Sequence, residues 1–541
     1  MRSWLSLRLA AGALLVAVPW IQPFAPGPSA NVVPWLLSAA CTAGLFLLLP
    51  AANVPRGLLV AAAVACAWVL LGPATGPLDR ATFVGACAVI LLACSAGRAA
   101  AGDERLVTML AWAWLAAALF SALVALLQYF GLLAGGTAWA VPAQAGEAIG
   151  NLRQRNQLAS HMTIGLAGAL WLVQRRRLPW LAGLIAVALL AAANAATTSR
   201  TGLVEWIAVL VLALLWRAPA QRPRLALAAA ALALYAAATW LLPPLLEHAT
   251  GVTADNLMAR LEANLGCSSR RVLWSNVLQL IAQHPWRGWG WGELDYAHYT
   301  HLYGGAPRFC DILDNAHNLP LHIAAELGLP AALAFCAVIA WLVLRARPWA
   351  EADATRQLAW TVLCAIALHS LVEYPLWYGP FQLALGLAAG LLLRDGGPAV
   401  ARELRIGIAA LAAAGIAYAG WDYDRVSQIY LEPQQRRAIW RDDTLAQVRR
   451  SWLFAGQARF AELTLTAVTP DNAAWVERTG EAMLHYSPEP RVIERVIEAA
   501  TLQGHLEEAV AQLARFRAAF PTEYAQWSER NRRPLPTRPA N

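Results

Sequence analysis

The 541-residue sequence contains no lysine. Every fixed cation is an arginine, so a phosphate held here by charge meets a forked guanidinium and not a point-like ammonium. GC-rich codon usage accounts for the absence without any appeal to function. Charge of either sign is scarce: Asp, Glu, Lys and Arg make up 14% of residues and hydrophobic residues 58%. A soluble domain carries roughly 25% charged residues, so the deficit excludes that class. The net charge of +8 does not point to nucleic acid, because the arginines are scattered between apolar stretches, as membrane topology requires. Cysteines with zinc-type spacing are missing. Six of the eight (Cys41, Cys66, Cys87, Cys94, Cys336, Cys364) lie inside apolar stretches, where Cys acts as a small hydrophobe. A G-x-x-x-x-G-K-[ST] loop is absent, which argues against ATP as the energy source. So is a G-x-S-x-G nucleophile elbow. The one D-x-D, Asp422-Tyr423-Asp424, stands without other acidic residues around it, so no metal is expected.

What the sequence has is long apolar runs. Crossing the hydrocarbon core takes about 20 apolar residues. Runs near 4–21, 32–50, 56–72, 81–97, 106–131, 157–173, 179–196, 202–216, 224–242, 325–344, 357–372, 379–393 and 405–420 predict about thirteen transmembrane helices, with 12–14 as the range. The first resembles a signal peptide but lacks a small-residue cleavage site, and is read as a retained helix. With Arg2 and Arg8 in the cytoplasm, the same side collects Arg56, Arg98, Arg105, Arg175, Arg176, Arg177, Arg217, Arg222, Arg224, Arg345, Arg347, Arg356, Arg394, Arg402 and Arg405. The short loops of the other side hold only Arg80, Arg153, Arg155 and Arg200. This positive-inside bias puts the long loop 243–316 and the tail 421–541 outside. The expected architecture is all-α: transmembrane helices in 1–242, a large loop 243–316, further transmembrane helices in 317–420, and a soluble helical domain in 421–541. Within the tail, "VIERVIEAATLQGHLEEAVAQLARFRAAFP" reads as two helices turning at Gly504, similar to one tetratricopeptide-like pair. One such pair buries its face poorly alone and is expected to pack on neighbouring helices or on a partner.

Four polar segments stand out. "GNLRQRNQLASH" sets Arg153 and Arg155 just before a span, beside the neutral donors Gln154, Asn156 and Gln157, and "TTSRTG" sets Arg200 at another span's edge. These outward arginines read either as headgroup anchors or as an anion site that matches phosphate oxygens bidentately. "DNAHNLPLHIAAELGLP" places His317 and Asn318 where the long loop meets the next span. His317 is a candidate general base or hydrogen-bond donor. His322 is the weaker histidine, and Glu326 is expected to be paired, with an arginine as one choice. In "HSLVEYPLWYGPF", His369 and Glu373 share a face if their helix continues; Tyr374 and Tyr378 suit a membrane-edge aromatic belt. Finally, "SSRRVLWSNVLQLIAQHP" reads as an amphipathic helix with Arg270 and Arg271 at its start. A cation there opposes the helix dipole, which a bound anion relieves.

In this order the motifs resemble the O-antigen ligase/polymerase superfamily, and best its protein O-oligosaccharyltransferase branch, the pilin glycosylation ligases. "GNLRQRNQLASH" looks like that branch's signature, and "TTSRTGLVEW" looks like the superfamily's Ser-Arg segment. His317-Asn318, nine residues, then Gly328 resembles the ligases' His-Asn motif, with a departure at Ala331, where Gly or Thr is usual. "HSLVEYPLWYGPF" followed by "WDYDRVSQIY" resembles the branch's C-terminal region. The resemblance spans about 140–430. It implies an enzyme of the bacterial inner membrane, with its active site and C-terminal domain in the periplasm. It also implies transfer of a glycan from undecaprenyl diphosphate to a hydroxyl of a periplasmic, pilin-like protein, without cofactor, metal or nucleic acid. On this reading His317 is catalytic and Arg153, Arg155, Arg200, Arg270 and Arg271 bind the diphosphate. Gln157, Asn318, Glu326, His369, Glu373 and Tyr374 support them. An O-antigen ligase with a lipid A-core acceptor, or a polymerase, keeps the chemistry and changes the acceptor. A flippase or transporter predicts polar groups near mid-bilayer and internal repeats, and a scaffold leaves His317 and the outward arginines without a role. The periplasm is oxidising, so Cys267 and Cys310, the two cysteines outside the spans, are expected to pair. The alternative is two free thiols that share a loop.

Overall fold

The protein is described by a computed structural model covering residues 2–72, 76–216, 222–253, 266–393 and 398–532. Among the described residues it is all-helical apart from two isolated bridges, Ala52 with Ala399 and Thr137 with Ala140. In chain order come α1 (Arg2–Ile21), α2 (Val32–Leu48), α3 (Arg56–Leu71), α4 (Pro77–Ala100), α5 (Glu104–Tyr129), α6 (Arg155–Gln174), α7 (Trp180–Ala196), α8 (Arg200–Leu215) and α9 (Arg222–Thr250). The long polar segment adds α10 (Arg270–Gln283), α11 (Leu294–Thr300) and α12 (Leu319–Leu327). Then follow α13 (Leu329–Ala346), α14 (Ala354–Ser370), α15 (Gly379–Leu391) and α16 (Arg402–Ser427). The tail holds α17 (Ala438–Arg441), α18 (Thr444–Arg449), α19 (Ala455–Leu465), α20 (Ala473–Leu484), α21 (Pro490–Gln503), α22 (Leu506–Ala519) and α23 (Pro521–Arg532).

A helix lies on each of the thirteen apolar stretches. Among the described residues, five segments are long and apolar enough to cross a membrane by length and composition: Pro77–Ala100, Glu104–Tyr129, Arg222–Thr250, Leu329–Ala350 and Arg402–Tyr430. Five more are apolar but shorter, at Ser6–Ile21, Val32–Leu48, Arg56–Leu71, Trp180–Ala196 and Gly379–Leu392. The remaining three, α6, α8 and α14, bury Ser160, His161 and Thr163 on α6, Glu205 on α8, and Gln357, Thr361 and His369 on α14.

The described residues fall into two compact units. One draws on 2–64, 84–216, 222–253, 337–393 and 398–420, the other on 65–72, 76–83, 266–336 and 421–532. In the first, α6 is central and almost entirely buried, packed on α5, α7, α8 and α14. Its core includes the buried indoles of Trp20, Trp114, Trp171 and Trp206. Helices in lipid gain little from the hydrophobic effect and rely on close packing of small residues. Gly168 shows this: a Cβ there would lie 2.7 Å from the Ala111 carbonyl oxygen of α5.

In the second unit, Leu273, Val277, Leu280 and Ile281 of α10 pack with Leu294, Phe309, Leu313 and Ala325. The tail forms a core around Phe460, Leu463, Val476, Ile493, Val496 and Phe516, which Tyr299 of α11 joins. The Tyr299 hydroxyl donates to Gln512 Oε1 at 2.5 Å. The expected helix pair is α21 and α22, separated by Gly504 with φ 79°. It packs on α20 and α23 of the same tail.

Candidate active site

In the first unit, Arg155 and Arg200 each occupy the first position of a helix. The preceding residues cap those helices: Gln154 Oε1 accepts from the Gln157 amide at 2.7 Å, and Ser199 Oγ from the Gly202 amide at 3.2 Å. Asn156 ties the two helix starts together. Its Oδ1 accepts from Ser199 Oγ at 2.7 Å, and its Nδ2 donates to Glu373 Oε1 at 3.1 Å. The residue after Arg155 is thus bonded to the residue before Arg200. Arg155 reaches Glu147 at 3.5 Å, and Arg200 is exposed. Arg153 differs from them: it lies in the left-handed region at φ 59° and donates to the Pro23 carbonyl. That contact ties it to the backbone.

His369 and Glu373 do not pair with each other through a continuing helix. Helix α14 ends at Ser370, and the two side chains go to different partners. His369 Nδ1 meets Ser160 Oγ at 2.8 Å, while Glu373 takes Asn156. Gln154, Gln157, His369, Glu373, Tyr374, Pro375 and Tyr378 line a shallow, narrow cleft. The rings of Tyr374 and Tyr378 stack at 5.9 Å and 24°.

In the second unit, Arg270 is again a helix-first residue, after the capping Ser269. Its guanidinium lies 2.7 Å from His317 Nδ1. A guanidinium has no lone pair to offer, so Nδ1 is the acceptor, and a neutral ring then carries its proton on Nε2. Arg271 is exposed. His317 has φ 48°, where a non-glycine residue is uncommon. Its amide donates to Asn315 Oδ1 at 2.8 Å, and Asn318 caps α12 by accepting from Leu321 at 3.0 Å. The histidine is thus held on a tight turn ahead of a capped helix.

Among the described residues Glu326 has no arginine partner. It is 3.2 Å from His322 Nε2 and accepts from the Gly292 amide at 3.0 Å. Gly328 ends α12 at φ 89°, where a Cβ would lie 2.4 Å from the Trp286 carbonyl oxygen. The expected single span 325–344 is therefore broken at this glycine. Deeper in the loop, burial pushes His298 down to about 3. Its Nδ1 meets the Tyr303 hydroxyl at 2.6 Å and its Nε2 the Phe309 carbonyl at 3.0 Å, a scaffold role for a neutral ring. Asp422 of the D-x-D is engaged by Arg425, by Ser451 Oγ at 2.8 Å and by the Leu453 amide at 3.1 Å.

Cys267 and Cys310 form a disulfide, with Cα atoms 5.5 Å apart. It fastens the approach to α10 to a point seven residues before His317. Closing a loop of 43 residues stabilises by roughly 3–4 kcal/mol in the chain-entropy model. Cys267→Ser with Cys310→Ser should lower the melting temperature of the purified protein and increase proteolysis within 266–316. An unchanged melt and cleavage pattern would mean that packing alone holds the loop.

Sequence reading missed Ser160, Thr163 and Glu205. Glu205 Oε1 accepts from Ser160 Oγ at 2.5 Å and Oε2 from Thr163 Oγ1 at 2.6 Å. A lone carboxylate inside "SRTGLVEWIAVLVLALL" was the available signal, since ionisable groups within spans mark functional sites by default.

These features define, over the described residues, an all-helical membrane protein in which Arg155, Arg200 and Arg270 stand at helix starts. Three family models match it: "Protein glycosylation ligase" over 148–173, "O-Antigen ligase" over 185–336, and "Virulence factor membrane-bound polymerase, C-terminal" over 357–533. They cover, in turn, the Arg153–Arg155 motif, the Ser199-Arg200 and His317-Asn318 motifs, and the His369–Glu373 segment with the tail. The chain is also 25% identical over 346 residues to a General O-oligosaccharyltransferase of Acinetobacter baylyi, a match covering 61% of this chain. It spans 58% of that relative's length. The resemblance read from the motifs is thereby shown: the chain is related to the O-antigen ligases and the protein glycosylation ligases.

Proposed function

We propose that this protein transfers a glycan en bloc from undecaprenyl diphosphate to a Ser or Thr hydroxyl of a periplasmic protein such as a pilin. In this reading it is a multi-pass enzyme of the inner membrane, with about thirteen spans and with His317 and the tail in the periplasm. One observation carries the reading. Asn156 accepts from Ser199 and so ties together the starts of the two helices that open with Arg155 and Arg200, where a cation is disfavoured by the dipole until an anion binds. Helix amides and a guanidinium together suit a diphosphate.

The chemistry follows. The glycan's anomeric carbon is already bonded to a good leaving group, so the enzyme must steady diphosphate charge and accept a proton. Arginines do the first. Arg270 is drawn from His317 toward the phosphate, which frees Nδ1. The acceptor hydroxyl gives its proton to Nδ1 as its oxygen attacks the anomeric carbon, and the C–O bond to the diphosphate breaks with its electron pair leaving on phosphate. No metal enters this scheme.

The test is acceptor mass. The chain is co-expressed with a lipid-linked glycan pathway and a candidate pilin, and a glycan-sized mass shift on the pilin is expected. The match of 357–533 to a polymerase C-terminal region favours a second reading, in which the acceptor is a growing glycan. Longer lipid-linked glycans with an unmodified pilin would select it.

A further inference from the structure

The scheme above leaves unused the buried polar chain of the first unit. Glu205 lies on α8, with a relative exposure of 1%, Ser160 on α6 at 0% and His369 on α14 at 1%. Ser160 Oγ stands between the other two, 2.5 Å from Glu205 Oε1 and 2.8 Å from His369 Nδ1. Thr163 gives the carboxyl group a second hydroxyl at 2.6 Å. Among the described residues no guanidinium contacts Glu205. Placing an ionisable group inside a membrane protein is costly, and such groups are kept where they are used. Nδ1 of His369 is taken by Ser160, and His369 also lines the cleft of Gln154, Gln157, Glu373, Tyr374 and Tyr378. Nε2 is therefore the nitrogen available to that cleft.

We propose that Glu205, Ser160 and His369 form a proton relay whose outer end is His369 Nε2, with Ser160 and Glu205 as positioning residues for that ring. The hydrogen-bond count allows two states. In one, Ser160 donates to a Glu205 carboxylate and accepts from His369 Nδ1–H, so Nε2 presents a lone pair. In the other, protonated Glu205 donates to Ser160, Ser160 donates to Nδ1, and Nε2–H is a donor. A proton taken up at Nε2 sends the Nδ1 proton to Ser160 Oγ and the Ser160 proton to Glu205. One proton enters, one carboxylate charge is neutralised, and nothing is oxidised. Hydroxyl and imidazole chains pass protons this way because each member both donates and accepts. The relay rests on the glycan-transfer reading for its use, as a proton sink and source beside the donor's phosphates; its existence does not.

Other groups around the ring are few. Glu373, on the turn after α14, acts on it electrostatically. Helix α15 contributes Phe381, edge-on at 5.6 Å, and α6 and α8 contribute Ser160 and Glu205. The test uses the full-length protein in detergent. Deuterium exchange at the His369 C2 position, followed by mass spectrometry between pH 4 and 9, reports when the ring titrates and needs no activity. Ser160→Ala and Glu205→Gln should each displace the His369 profile by at least about half a pH unit. Ser160→Thr, which keeps the hydroxyl, should restore it. Identical profiles for wild type, Ser160→Ala and Glu205→Gln would overturn the relay. In the transfer assay, Ser160→Ala should lower the rate about tenfold or more and move its pH profile, with Ser160→Thr near wild type. A displaced exchange profile in a wild-type protein that transfers no glycan would sink the functional reading and leave the relay standing.

Discussion

Replacing His317 with asparagine is expected to lower glycan transfer by roughly 10²–10⁴-fold, the range for losing a positioned acid–base group, while the protein still accumulates in the membrane. Asparagine is the right replacement because His317 has φ 48°, and Asn tolerates the left-handed region far better than most residues. His317→Ala would mix a catalytic loss with backbone strain of order 1–3 kcal/mol. The readout is the glycosylated fraction of a co-expressed acceptor, normalised to enzyme level in the membrane fraction. Normal glycosylation by the asparagine variant would remove His317 from the mechanism. Arg270→Gln offers a companion measurement. It takes away the donor that occupies Nδ1, so a loss of donor affinity alongside the rate would fit an arginine that moves to phosphate.

The second large effect is expected at Arg155 and Arg200. Removing one preorganised charge-stabilising group typically costs about 10²–10³-fold in rate. Arg155→Ala and Arg200→Ala should fall in that range, and the lysine variants should recover only part of it, because an ammonium cannot bridge two phosphate oxygens. Raised KM for the lipid-linked donor, with acceptor KM unchanged, is the signature sought. Full activity of Arg200→Lys would argue for simple headgroup anchoring. Arg153 serves as the contrast. Its guanidinium is committed to the Pro23 carbonyl, so Arg153→Ala should act on stability more than on donor KM.

Much of the helical plan was legible because an apolar stretch long enough to bury becomes a helix whatever its neighbours do. The boundaries were less legible. The reading stopped at residue 242, before Pro243 and Pro244, yet α9 runs through both to Thr250. Helix α16 likewise continues to Ser427, past residue 420, where the predicted span ends. Backbone hydrogen bonding does not end where hydrophobicity does. The break at Gly328 was hidden for the opposite reason: the apolar run is continuous there, and only the approach of the Trp286 carbonyl requires a glycine.

The sequence by itself determined the class of protein, the candidate arginines and His317, because composition, charge asymmetry and capping chemistry are local properties. It also pointed to Cys267 and Cys310, by elimination within one loop. Only the tertiary structure decided the company these residues keep. Arg270 on His317, Asn156 between Ser199 and Glu373, and Ser160 between Glu205 and His369 link positions 43 to 217 residues apart. Which face a helix turns toward its neighbour depends on how whole helices pack, and no local pattern contains that rotation. Glu205 makes the difference plain: in the chain it is one carboxylate in an apolar run, and in the fold it is the buried end of a hydrogen-bonded line to the cleft.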